Sequence, residues 1–194
     1  YEMEPAGTLA VHVDRQRKVP VTTLIRALSA VTTGDFGDDA SINRLFHEEP
    51  IIAMTCEKDP AHTGEEGLLE LNKKLRPGEI PNLDSIHSYV KSLFFDRRKY
   101  DLSRVGRYKL NKKLCLASRI TGLTAAADVV DEDGVVYVTA GSVIDEETAF
   151  RIKNAGINEV PVEIAGREEP FWVMGNGYGA RAAYFDEPRS SGVT

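Results

Sequence analysis

The chain has 194 residues, enough for one or two domains with a real core, and its 42% hydrophobic and 28% charged content is ordinary for globular protein. The formal net charge is −6, but residues 1–119 carry 19 basic and 17 acidic side chains while residues 120–194 carry 5 and 13, a sign change that suggests two modules with different surroundings. No apolar run approaches the roughly 20 residues of a membrane-spanning helix, and Cys56 and Cys115 stand alone, as thiols suited to a reducing compartment.

The first residue is Tyr1, so the chain is expected to be a piece of something larger. Leu9 to Val13 alternates as a short strand does. Asp14 to Lys18 reads as a polar turn, and Pro20 as a first helical residue, where its missing donor costs nothing. Leu24, Ile25 and Leu28 give the helix that follows one apolar face. Thr32 to Ser41 is rich in Gly, Asp and Thr and is expected as a loop, with one helical turn at Ile42, Leu45 and Phe46. Ile51 to Thr55 fits strand or helix equally well.

Thr63 to Leu75 is a clearer helix. Thr63 and Glu66 have the spacing of a capping box, and Leu68, Leu71 and Leu75 share a face until Pro77-Gly78 stops it. Ile86, Tyr89, Val90, Leu93 and Phe94 fall at i, i+3, i+4, i+7 and i+8, the pattern of an amphipathic helix. Leu102 to Leu116 keeps no single apolar stripe. Gly106 lies between its two sets, which predicts a bend there or an element packed on two sides.

Residues 120–165 read as a separate acidic β-β-α-β module. Asp128 to Val138 is a hairpin pattern about Asp133-Gly134. Asp145 can cap the following helix, with Ile144 and Ala149 as a hydrophobic staple and Gly156 as its left-handed stop. Ile157 to Ile164 returns as a strand. Residues 166–194 carry no comparable signal and are expected to be a truncated tail. The fold class is therefore α+β: a mostly helical segment at 1–119, then the small module.

His12, His47, His62 and His87 are scattered and form no metal-binding spacing. The Asp131-Glu132-Asp133 cluster suits a solvated hairpin tip better than a cation site. Gly175 to Gly179 lacks the lysine and the strand–helix context of a phosphate loop. No nucleophile–base set can be assembled, so no catalytic residue is assigned. What stands out is Lys73 to Lys113. Between Lys91 and Lys113 there are nine Lys or Arg and only two acids, Asp96 and Asp101. Such a run is usually a solvated face, but on an acidic chain it also suits a specific polyanion. Arg forks and Lys point charges grip phosphates, and Tyr100 and Tyr108 are candidates for stacking on unpaired bases.

Several blocks, in order, resemble the bacterial RNA polymerase β-subunit family. They are Asp14-Arg15-Gln16-Arg17-Lys18-Val19-Pro20-Val21-Thr22 through Leu28; Glu57-Lys58-Asp59; Leu75-Arg76-Pro77-Gly78-Glu79; Leu93-Phe94-Phe95-Asp96; and Val105-Gly106-Arg107-Tyr108-Lys109-Leu110-Asn111-Lys112-Lys113. The module at 124–163 is similar, more loosely, to β–β–α modules of that family. Residues 32–41, Ile80, Asn82 and the tail after Phe171 depart from its usual wording.

The resemblance implies a lobe segment that walls the DNA cleft and contacts downstream duplex and the non-template strand. It implies DNA contact by Arg76 and Arg107 first, then by Arg104, Lys109, Arg15, Arg17 and Lys18. For Arg76 and Arg107 the competing role is to brace the lobe. It further implies DNA and the β′, α, ω and sigma subunits as partners, no membrane, and a cytoplasmic, nucleoid location. The nucleotidyltransferase chemistry and its Mg ion are expected on β′, with no cofactor held by this segment. The alternatives are a stand-alone nucleic-acid-binding module, or an interaction scaffold whose acidic module docks a basic partner.

Overall fold

A computed structural model describes residues 1–14, 17–96, 98 and 104–175; the side chains of Asp14, Arg104, Arg107 and Leu110 lie outside that description. The chain forms two units, Tyr1–Asp101 and one from Leu102 onward. Both helices and small antiparallel sheets are present, so the fold is α+β. The expected boundary at 119/120 falls inside a helix of the second unit.

The first unit opens with an antiparallel meander of β1 (Glu2–Met3), β2 (Leu9–Asp14) and β3 (Arg17–Pro20). The polar stretch at Asp14–Lys18 is thus not all turn: Lys18 pairs with His12 and Val19 with Val11 across the ladder. Pro20 ends this strand and caps helix α1 (Val21–Ala30), and is not its first residue. Helices α2 (Asp39–Leu45), α3 (Pro50–Lys58), α4 (Gly64–Leu75) and α5 (Leu83–Phe95) follow.

The Thr32–Ser41 loop is shorter than its composition suggests, because the Asp38 carboxylate accepts from Ser41 N at 2.6 Å and α2 starts at Asp39, three residues earlier than Ile42. The undecided stretch at Ile51–Thr55 is helical, with Pro50 in its first turn. The capping box of α4 is formed in both directions, Thr63 Oγ1 accepting from Glu66 N and the Glu66 carboxylate from Thr63 N.

Two apolar clusters fill this unit. Val11, Val19, Ala27, Val31, Leu68, Leu71, Ile86 and Val90 join the sheet to α1, α4 and α5. Val21, Ile42, Ile52 and Cys56 join α1 to α2 and α3. The buried side of α1 is not only apolar. It includes Thr22, Thr23 and Arg26, and Arg26 is 0% exposed. Its Nη1 donates to Asp59 Oδ2 at 3.1 Å and to the Ala61 carbonyl, while Nη2 donates to the Asp39 carboxylate.

Asp59, itself buried, also accepts from Thr22, from Thr23 at 2.7 Å and from Ala61 N at 3.0 Å. Helix α4 crosses directly over this point. A β-carbon at Gly67 would stand 2.8 Å from Arg26 Cβ and 3.1 Å from Ala27 N, so only glycine fits.

The second unit begins with α6 (Arg104–Leu114) and α7 (Leu116–Ile120). Helix α6 is continuous through Gly106, where a bend or an element packed on two sides is expected, and the chain leaves the helix at Cys115. Then come β4 (Thr124–Ala125), β5 (Val129–Val130), β6 (Val136–Val138), α8 (Glu146–Asn154), β7 (Glu159–Glu163) and β8 (Phe171–Met174). Asp145 caps α8 through Thr148 N at 2.7 Å, and Gly156 follows it with φ 85°. Ile144 and Ala149 are both fully buried, as a staple requires.

The expected β-β-α-β order is present, but the sheet is wider than expected. Residues 171–174 form strand β8, which pairs with β7 from Glu159↔Met174 to Val162↔Phe171, so the start of the expected tail belongs to the fold. One core, including Leu116, Ile120, Val129, Val138, Ile144, Ile152, Val160, Val162 and Val173, joins these elements.

Replacing Arg26 with Met should cost the first unit about 3–5 kcal/mol, because it leaves the Asp59 carboxylate buried without its cation. Hydrogen exchange of α1 amides measures this. Adding Asp59→Asn to Arg26→Met should recover part of the loss, and a double variant as unstable as the single would show that charge pairing is not what the cluster supplies.

Candidate nucleic-acid interface

The cations singled out in the sequence fall into three physical states. The first is internally committed. Arg76 caps the C-terminus of α4, and its guanidinium carbon lies over the Tyr89 ring of α5, 3.7 Å from the ring centre. Its Nη1 donates to the Glu79 carboxylate at 3.1 and 3.3 Å. The Glu79 bond is the largest cause holding the Arg76 pKa above the ordinary guanidinium value.

Arg17 donates from Nη1 to the Leu75 carbonyl, satisfying an acceptor that the end of α4 leaves open. Lys18 reaches Glu4 at 2.9 Å and Glu2 at 3.5 Å, and these contacts, the Glu4 hydrogen bond first, raise its pKa. Arg76, Arg17 and Lys18 therefore brace the first unit in this structure. Arg15 lies outside the described residues, as do Arg97, Lys99 and Tyr100.

The second state is free and is seen at Lys109, Lys112 and Lys113, the Arg104 and Arg107 side chains lying outside the described residues. Helix α6 carries Arg104, Arg107, Lys109, Lys112 and Lys113 in eleven residues, with no acid among them. Lys109, Lys112 and Lys113 are exposed, and among the described residues none of the three forms an ion pair. Lys109 and Lys113 stand four apart, where like charges repel. Tyr108 is 67% exposed and Val105 63%. Helix α6 packs mainly on its neighbour α7. The lysines thus present positive charge, beside an exposed ring, with no acid of the helix itself to neutralise it.

The third state is the one composition conceals. Arg26 lies within the first of the resembling blocks yet offers no surface charge, because it is spent in the core. In the acidic module the Asp131 carboxylate is likewise occupied. It accepts from Asp133 N at 3.0 Å, Val135 N at 2.8 Å and Tyr137 Oη at 3.0 Å, which builds the hairpin turn. Among the described residues, no group of three or more His, Cys, Asp or Glu is arranged to hold a metal ion, and no helix is long and apolar enough to cross a membrane.

The family model for RNA polymerase Rpb2, domain 2, matches residues 1–125. The chain belongs to this family. It is 47% identical over 165 residues to the DNA-directed RNA polymerase subunit beta of Clostridium acetobutylicum, covering 84% of this chain and 13% of that protein. It is 46% identical over 177 residues to the same subunit of Clostridium botulinum strain Hall, covering 91% and 14%, and 47% identical over 161 residues to that of Alkaliphilus oremlandii, covering 82% and 12%.

The chain thus corresponds to a β-subunit segment and spans about one seventh of the length of these relatives. A match covering 91% of the chain necessarily takes in the module at 124–163, so the similarity continues past the end of the family model at residue 125.

Sequence reasoning does not find Tyr89 as a partner of Arg76. The signal available is the i, i+3 spacing of Arg76 and Glu79 across Pro77-Gly78, which turns the two side chains toward each other. It also counts Arg17 and Lys18 among free cations, although Glu2 lies on the paired edge of the same small sheet and Glu4 just beyond it.

Arg76→Gln should lower the melting temperature and speed hydrogen exchange at residues 76–83, with Glu79→Gln doing less because the ring contact survives. Unchanged exchange in Arg76→Gln would remove the brace. The Asp131 pKa is depressed, most by the Val135 N–H bond. Its stabilisation is therefore complete above the unfolded carboxylate value near about 4 and is lost as pH falls through the lower folded value. NMR titration should show the Asp133 and Val135 amides loosening below that range, and Asp131→Asn should abolish the transition.

Proposed function

We propose that this chain serves as part of the wall of the DNA cleft in a bacterial DNA-directed RNA polymerase, where it steadies downstream duplex and the non-template strand. The observation that carries the reading is α6, a helix with five cations, no acid and exposed lysines. A duplex places a negative charge about every 1.7 Å along its axis and rewards each neutralised phosphate by releasing counterions. A helix so charged is costly alone and favourable beside such a surface. The relatives, each a DNA-directed RNA polymerase subunit beta by name, support the same partner.

In this reading α6 supplies the contacting side chains, Arg107, Arg104 and Lys109 first, with Lys112 and Lys113 beside them. Tyr108 stands ready to lie against an unpaired base. Arg76, Arg17 and Lys18 hold the scaffold in shape, and a phosphate reaching Arg76 would have to compete with Glu79. Phosphate contacts of this kind position DNA and do not read its sequence. The partners are the β′, α, ω and sigma subunits in the cytoplasm. Phosphoryl transfer and its Mg ion belong to β′, and this segment contributes grip and no chemistry.

In assembled polymerase, Arg107→Ala and Lys109→Ala should each shorten the lifetime of the open complex. The salt slope of DNA binding should fall by about 0.9 for each duplex phosphate no longer neutralised, or about 0.7 on a single strand, so the deficit is largest at low salt. Unchanged lifetimes and slopes in both variants would exclude α6 as the gripping element.

A further inference from the structure

The hairpin of the acidic module is apolar on both faces. Val129 and Val138 pair across the ladder and are buried in the module core. Beyond a register shift that leaves Tyr137 between the two pairs, Val130 pairs with Val136, and these valines are 47% and 49% exposed, with the adjoining Val135 50% exposed. An antiparallel ladder with one wet face ordinarily alternates apolar-in and polar-out, so two cross-strand valines on the wet face are the pattern of a surface meant to be covered. Among the described residues β5 and β6 pair only with each other, which leaves this face and both edges without a strand of the chain itself.

The charge around the valines selects the occupant. Between Asp128 and Val138 there are four acids and no base. Two of these are used internally: Asp128 accepts from Ala140 N at 2.7 Å, and Asp131 builds the turn. Glu132 and Asp133, at the exposed tip, have side chains with no ion-pair partner among the described residues. A polyanion is repelled here, and a second copy of the chain would bring the same acids face to face.

We infer that the outer face of the β5–β6 hairpin docks a short basic polypeptide segment of another protein, with apolar residues resting on Val130, Val135 and Val136 and flanking Lys or Arg reaching Glu132 and Asp133. The surface is separate from α6 in role as well as in sign: α6 suits nucleic acid, and the hairpin suits protein.

The test uses NMR on the full 194-residue chain with two synthetic peptides of equal charge, one of three valines and one of three serines, each flanked by two lysines at both ends. The valine peptide should shift amides within 128–138 and bind about fivefold or more tightly than the serine peptide, the difference being the apolar contact. Glu132→Lys with Asp133→Lys should weaken it by about fivefold or more. Val130→Thr, which keeps β propensity, should weaken it similarly without unfolding the hairpin.

Equal binding of the two peptides, or no shift in the hairpin, overturns the inference. So does self-association through the hairpin as protein concentration rises without peptide. Hydrogen exchange on assembled polymerase completes the test: hairpin amides already protected without peptide would mean that another part of the enzyme covers this face, which also overturns it.

Discussion

The first unit depends on one buried ion pair. Arg26 draws to a single point the body of α1, the residues that follow α3 and the first turn of α2, through Asp59, Ala61 and Asp39. Thr22 and Thr23 add hydroxyl donors to Asp59, so the carboxylate is surrounded by hydrogen-bonding groups and is not left to Coulomb attraction alone. A pair like this need not be more stable than a well-packed apolar substitute, because both charges give up water. Its consequence is directional. Three segments distant in sequence meet at the two Nη atoms of one guanidinium, and Gly67 lets α4 close over it.

From that point the geometry passes outward along α4. Its C-terminal carbonyl at Leu75 is met by Arg17 from the sheet, and the next residue, Arg76, lays its side chain on Tyr89 of α5. Helix α5 is thus aligned twice, by the core at Ile86 and Val90 and by the stacked guanidinium at its surface. Positive charge here acts as structure. Each of these cations has an internal partner, and an incoming phosphate would have to compete with a local carboxylate or carbonyl. Helix α6 is the opposite case. Its lysines meet no acid among the described residues, and a partner of opposite sign would relieve their mutual repulsion without breaking an internal bond.

How much of this is legible in the sequence follows from how local each signal is. The caps of α4 and α8 depend on residues three apart and can be read directly. So can the hairpin about Gly134, whose φ of 80° the turn demands. Strand β3 is hidden because charged residues occupy it, and β8 because a four-residue strand gains its stability from β7 and carries little pattern of its own. Helix α3 is ambiguous since a short apolar run has no clear period. At the candidate site the sequence gives each cation's position and hides its state. Arg17, Arg26 and Arg76 are chemically identical in a sequence, and only tertiary partners separate a core ion from a brace.

The sign change along the chain then acquires a physical meaning. In the proposed role the chain must hold DNA without gathering it on every surface, and a chain that is cationic throughout would bind nucleic acid wherever it was exposed. Here Arg17, Lys18, Arg26 and Arg76 are internally paired, unpaired lysines gather on α6, and the module that follows carries an excess of acids. In that role the acidic module would repel the polyanion that α6 attracts, and repulsion at short range limits where a polyanion can lie as much as attraction does. Screening limits both effects to about 8–10 Å at physiological salt, so each is strongest in its own neighbourhood. Two modules of opposite sign can therefore give one segment two kinds of partner, selected by charge before any shape is tested.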